Sequence, residues 1–67
     1  MKAAIYGYGN LGRGVELALR EAADIETVGV FTRRDPASLK TLTGIPVYAA
    51  ADILKFKDEI DVLIICA

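Results

Sequence analysis

The apolar positions of the chain fall into short continuous runs separated by one stretch of helical spacing. Lys2-Ala3-Ala4-Ile5-Tyr6 is a brief apolar run stopped by Gly7. Its length and its glycine stop predict a buried strand over a helix. From Asn10 to Ala23 the spacing changes. Leu11, Val15, Ala18, Leu19 and Ala22 fall at i, i+4, i+7, i+8 and i+11, which draws one apolar stripe on a helix. Arg13, Glu16, Arg20 and Glu21 lie off that stripe. Glu16 and Arg20 stand four apart in the order that supports an exposed helix face. Thr27-Val28-Gly29-Val30-Phe31-Thr32 is β-branched and aromatic, and predicts a second strand.

Asp35-Pro36 is a compact helix start, with Asp as the cap and Pro at the first helical position. Only a short helix fits before Gly44. Ile45-Pro46-Val47-Tyr48 predicts a brief strand, and Pro46, lacking an N–H, places it at a sheet edge. Ala50 to Lys57 predicts a last short helix with Ile53, Leu54 and Phe56 as its apolar contacts. Asp61-Val62-Leu63-Ile64-Ile65-Cys66 is the most apolar run, expected as a central strand buried on both faces. Strands alternating with helices imply the α/β class, with a parallel sheet and right-handed crossovers. The expected spatial order is 3-2-1-4, half of a Rossmann-type fold plus one strand. The sequence stops at the carboxyl tip of the fourth strand, so residues 1–67 are expected to form a partial domain, truncated there.

Composition narrows the function. The chain has 67 residues, under half of the roughly 150 usual for one domain. Eight Lys and Arg against nine Asp and Glu give a net charge of −1, so no overall charge favours nucleic acid or an anionic membrane. The longest apolar stretch, Val62 to Ala67, is far short of the about 20 residues of a membrane span. Gly7, Gly9 and Asn10 interrupt the apolar start before it reaches signal-peptide length. Cys66 is the lone cysteine and His is absent. An internal disulfide, a zinc cluster and a His-assisted nucleophile are thereby excluded within the chain. The cytoplasm is the expected compartment. At 54% hydrophobic residues the chain is very apolar for its size, which points to a part of a longer polypeptide.

The candidate chemistry begins at Gly7-Tyr8-Gly9-Asn10-Leu11-Gly12, a G-x-G-x-x-G pattern between a strand and an amphipathic helix. Gly7 suits a tight turn, Gly9 the close approach of backbone to a pyrophosphate, and Gly12 close packing of helix on strand. The helix N-terminus adds free N–H groups and partial positive charge. A glycine-rich turn without a ligand is the alternative. Twenty residues after Gly12, where an NAD-binding chain usually carries an acidic residue, stand Thr32-Arg33-Arg34. Arginine grips a 2′-phosphate with paired hydrogen bonds or stacks on adenine, so NADP is the expected cofactor. Thr32 offers a hydroxyl donor. Two solvated arginines on a loop are the alternative. Cys66 ends an apolar strand, where packing is the commoner role for a thiol. Tyr8 and Asn10 either touch the cofactor or shape the turn. Lys55, Lys57, Asp58 and Glu59 read as a solvated helix end.

Three blocks together resemble the N-terminal segment of meso-diaminopimelate dehydrogenases. They are Tyr8-Gly9-Asn10-Leu11-Gly12-Arg13, Val28-Gly29-Val30-Phe31-Thr32-Arg33-Arg34 and Asp61-Val62-Leu63-Ile64-Ile65-Cys66. The first block is shared by many dinucleotide-binding reductases, and the other two in combination are far more specific. The resemblance implies an NADP-dependent enzyme that oxidatively deaminates the D-configured centre of meso-2,6-diaminopimelate. The product, L-2-amino-6-oxopimelate, cyclises to tetrahydrodipicolinate, and the reverse reaction serves lysine biosynthesis. By position, Tyr8, Gly9, Asn10 and Leu11 would line the pyrophosphate, and Thr32, Arg33 and Arg34 would hold the 2′-phosphate. Cys66 and Ala67 would begin the next cofactor-contacting loop. The family continues into a substrate and dimerisation domain and acts as a homodimer, so the resemblance assigns no catalytic or substrate residue within this chain. Two alternatives stay open. One is another NADP-dependent reductase of the same fold, of the dihydrodipicolinate or homoserine pathway. The other is a nucleotide-sensing module without chemistry.

Overall fold

A computed structural model describes residues 1–66. Its strands are β1 (Lys2–Tyr6), β2 (Glu26–Thr32), β3 (Val47–Ala49) and β4 (Val62–Ile65), and its helix is α1 (Asn10–Arg20). Two 3-10 segments, Pro36–Ser38 and Ala50–Phe56, complete the regular structure. All pairings are parallel and the strand order is β3-β2-β1-β4, as the alternation of elements predicts.

Side chains alternate across the sheet and build two apolar layers. On one face Ala3, Ile5 and Val30 meet Leu19 of α1 and Tyr8, with Val15, Ile25 and Ile64 packed around them. On the other, fully buried Phe31 meets the rings of Tyr48 and Phe56 at 5.4 and 5.3 Å between centroids. Burying each large apolar side chain of this kind contributes about 1.5–3 kcal/mol.

Four expectations are corrected. The helix ends at Arg20 and not at Ala23. The N–H groups of Glu21 and Ala22 turn to the carbonyls of Ala18 and Leu19 at 3.2 and 3.1 Å, a 3-10 closure of the last turn. The buried face of α1 is Gly12, Glu16 and Leu19, while Leu11 is 64% exposed. Only a glycine permits the approach made at position 12, and that contact sets the rotation of the helix. Glu16 therefore points inward, 2% exposed, and makes no ion pair with Arg20. Ala50–Phe56 is a 3-10 segment and not an α-helix. Finally, β4 pairs with β1 alone among the described residues, so it is an edge strand there, with Val62 39% and Ile65 68% exposed. Its apolar sequence reflects what such a strand can bury, not what covers it here.

The edge position of β3 holds, although the strand runs Val47–Ala49 instead of Ile45–Tyr48. Pro46 stands just before it and lends its carbonyl to the N–H of Val30 at 2.9 Å. Beyond the strands, Gly7 N–H donates to Phe31 O at 2.9 Å and Cys66 N–H to Tyr6 O at 2.8 Å. These bonds hold the carboxyl ends of β1, β2 and β4 together at one rim of the sheet. The chain leaves β1 toward β2 on one side and returns as β4 on the other, so this rim is a topological switch point.

Candidate functional site

The turn between β1 and α1 is shaped by what its glycines allow. Gly7 has φ +95°, a conformation that strains any residue with a side chain. A Cβ on Gly12 would stand 2.7 Å from the carbonyl oxygen of Gly7, so the helix rests directly on the turn. Gly9 caps α1 without a side-chain bond, and a Cβ there would meet nothing within 4 Å. The first bond into the helix is Arg13 N–H to Gly9 O at 3.0 Å. The N–H groups of Asn10, Leu11 and Gly12 precede it and, by helix geometry, lack acceptors within α1. Open space over bare backbone with free donors fits a pyrophosphate.

The facing wall is the segment after β2. Thr32 is buried, and its hydroxyl oxygen accepts the Arg34 N–H at 3.1 Å, closing a local turn. The Arg34 guanidinium donates through Nη2 to the Tyr8 carbonyl, which ties this wall to the glycine turn. Two adjoining clefts lie between the walls. One, of about 270 Å³, is lined by Tyr6, Gly7, Tyr8, Thr32, Arg33 and Arg34. The second, of about 210 Å³, has Tyr8, Gly9, Asn10 and Arg13 on one side and Arg34, Ser38, Leu39 and Lys40 on the other. Arg13, Arg33, Arg34 and Lys40 give the clefts four cations, and no carboxylate lines either. Such a surface favours a phosphate monoester over a neutral hydroxyl.

Glu16 braces this arrangement from below. Its Oε1 accepts the Tyr8 hydroxyl proton at 2.5 Å and the Leu42 N–H at 3.3 Å. Its Oε2 accepts the Thr43 N–H at 2.7 Å and the Thr43 hydroxyl. Burial raises the cost of its charge, but these donors together outweigh burial and hold the Glu16 carboxyl below its usual range. Burial, followed by donation to Glu16, pushes the Tyr8 phenol above its usual value. The Arg13 guanidinium lies 5.9 Å from the centroid of the Tyr8 ring.

The structure thus brings Gly7, Tyr8, Gly9, Asn10, Thr32, Arg33 and Arg34 to the two clefts. Tyr8 shapes the turn with its side chain and offers the cleft mainly backbone. Gly12 packs beneath the turn, and Leu11 sits on the exposed side of α1. Cys66 is at the right rim, but its thiol is buried in the core, with Sγ 3.9 Å from Ile64 O. Ala67 lies outside the described residues. Arg13, Ser38, Lys40 and Glu16 are the site residues that sequence patterning misses. The Asp35-Pro36 cap was their one legible signal. Asp35 accepts the Ala37 N–H at 3.1 Å and starts a single 3-10 turn, Pro36–Ser38, after which Leu39 and Lys40 run along the cleft.

A parallel sheet in 3-2-1-4 order, with a glycine turn at its switch point and a cationic cleft beside it, defines a Rossmann-type dinucleotide-binding unit. No protein-family model matches the chain. It is 50% identical to the meso-diaminopimelate D-dehydrogenase of Lysinibacillus sphaericus, over 98% of this chain and 20% of that protein. It is 47% identical to the Corynebacterium glutamicum enzyme of the same name, over 98% of this chain and 19% of that one. The structure of an engineered D-amino acid dehydrogenase bound to NADP+ superimposes on all of this chain and 20% of its own, with TM-score 0.89 and 43% identity. C. glutamicum DAP dehydrogenase in complex with DAP gives 0.85, also at 43% identity and with the same coverage. The chain spans about one fifth of the length of the curated relatives it matches. From end to end, it is similar to the N-terminal segment of the meso-diaminopimelate D-dehydrogenases.

Proposed function

We propose that this chain is the NADP-binding segment of a meso-diaminopimelate dehydrogenase. The observation that carries the reading is the pairing of end-to-end similarity to those enzymes with a cleft lined by four cations and no carboxylate. The parent enzyme oxidises the D-configured carbon of meso-2,6-diaminopimelate, with NADP as the hydride acceptor and water replacing the nitrogen released as ammonium. Within this chain the work is binding and orientation. The open N–H groups at Gly9 to Gly12 hold the pyrophosphate, and the junction of the two clefts, where Arg34 lines both, receives the 2′-phosphate. Thr32 and Arg34 set the backbone on which Arg33 stands. Cys66 stands at the same rim of the sheet, beside the dinucleotide. No residue of the segment acts on the substrate carbon, so residues 1–67 alone are without dehydrogenase activity. Substrate and dimerisation domains follow in the parent, a cytoplasmic homodimer of lysine biosynthesis.

The test is turnover by the full-length protein carrying this segment. It reduces NADP with meso-diaminopimelate and is nearly inert toward the L,L-isomer. Turnover of homoserine or dihydrodipicolinate in place of meso-diaminopimelate would overturn the substrate reading.

A further inference from the structure

Lys40 sits in a segment without regular structure, yet the segment is pinned on both sides of it. Before it, the Leu39 N–H donates to Pro36 O at 3.3 Å, and the Leu39 side chain packs on the core. After it, the N–H groups of Leu42 and Thr43 bond to the Glu16 carboxylate at 3.3 and 2.7 Å. Thr41 Oγ1 donates to Ile45 O at 2.9 Å and folds the strap back on itself. Lys40 makes no ion pair among the described residues, and its cleft holds Arg13 and Arg34 as well. The same carboxylate fixes the Tyr8 hydroxyl, and the Tyr8 ring lies under the Arg13 guanidinium. One buried group therefore fixes the backbone that carries Lys40, through Thr43, and the ring beneath Arg13, through Tyr8.

We propose that Lys40 meets the 2′-phosphate of NADP as a specificity-determining residue, and that Glu16 is the positioning residue that delivers it. The inference rests on the NADP reading above and adds to it a cation from a different segment. A phosphate monoester carries close to two charges at neutral pH, more than the single free guanidinium of Arg33 neutralises. Lys40 is a second free cation on a strap whose backbone is already ordered, so only its side chain must be ordered at binding.

The experiment is paired titration of NADP and NAD against the full-length protein and five variants. Lys40→Ala lowers the NADP-over-NAD preference by about two- to fivefold, the range of one solvated charge pair. Glu16→Gln lowers the same ratio, because the amide no longer accepts from every donor of Tyr8 and Thr43. Lys40→Ala combined with Glu16→Gln loses no more preference than Lys40→Ala alone, apart from any share that Arg13 carries through Tyr8. Thr43→Val, which removes one hydroxyl donor, provides the same readout if Glu16→Gln does not fold. A purely structural role for Glu16 would lower stability and leave the ratio unmoved. An unchanged ratio in Lys40→Ala overturns the proposal. So do losses from Lys40→Ala and Glu16→Gln that multiply in full. If Arg33→Ala lowers the preference while Lys40→Ala leaves it unchanged, the inference fails and the NADP reading stands. If the unaltered protein prefers NAD, the NADP reading itself fails.

Discussion

The guanidinium of Arg34 is committed to the Tyr8 carbonyl, whereas Arg33 stands exposed on the rim of the cleft. Substituting them should have different consequences. On the proposed placement of the 2′-phosphate, Arg33→Ala should weaken NADP about ten- to a hundredfold and barely change NAD. Arg34→Ala unties the glycine turn from the segment after β2 and weakens both cofactors. Isothermal titration of each variant with both nucleotides checks the pair, and equal losses for Arg33→Ala would contradict it. Glu16 makes a second prediction. Its folded carboxyl titrates below the ordinary value near 4.3, so its contribution to stability is complete above that pH. The contribution is lost as pH falls from there through the folded value. Urea unfolding between pH 6 and 3 should therefore fall off more steeply for the unaltered protein than for Glu16→Gln, and parallel curves would refute this. None of it was legible in the sequence. Patterning assigns a helical carboxylate to solvent, and the partner that reverses the assignment, Thr43, lies 27 residues away.

Strand order and the glycine turn were legible, because both follow from the alternation of short apolar runs with one helical stripe. The rotation of α1 was not. Val15 and Leu19 of the expected stripe pack on the core, but the contact of Gly12 with the Gly7 carbonyl turns Leu11 and Ala18 to solvent and Glu16 inward. Two glycines of the turn accordingly respond differently to a methyl group. Gly12→Ala forces the helix off the turn and costs about 1–3 kcal/mol, together with cofactor affinity. Gly9→Ala meets open space and costs under about 1 kcal/mol of stability. It nevertheless places its methyl where a pyrophosphate must approach, so affinity falls while the melting temperature holds. Thermal unfolding alongside nucleotide titration separates the two. A Gly9→Ala protein that melts early but binds normally would reverse the assignment. The short elements were half legible: Asp35-Pro36 marked a helix start, but sequence did not say that it would last a single 3-10 turn.

The molecule as described has a Cα radius of gyration of 10.7 Å and one sheet, with β4 unpaired on its outer side among the described residues. Ile65 on that strand is 68% exposed, and a net charge of −1 provides little mutual repulsion. An open apolar edge is a template for another strand. Residues 1–67 expressed alone should therefore elute as concentration-dependent oligomers in size-exclusion chromatography, with a broad, low thermal transition. A sharp monomeric transition at high temperature would contradict this. The strap that Glu16 holds behaves in the opposite way to that edge. Leu42 and Thr43 belong to no strand or helix, and Leu42 even turns its side chain to solvent. Their amide protons are nonetheless bonded to a carboxylate sealed between helix and strap. In deuterium labelling these two amides should exchange at the pace of the central strands, while those of β4's outer side exchange within the dead time. Measured by the clock of isotope uptake, an irregular loop belongs to the last-labelled interior of the protein and a regular strand to its surface.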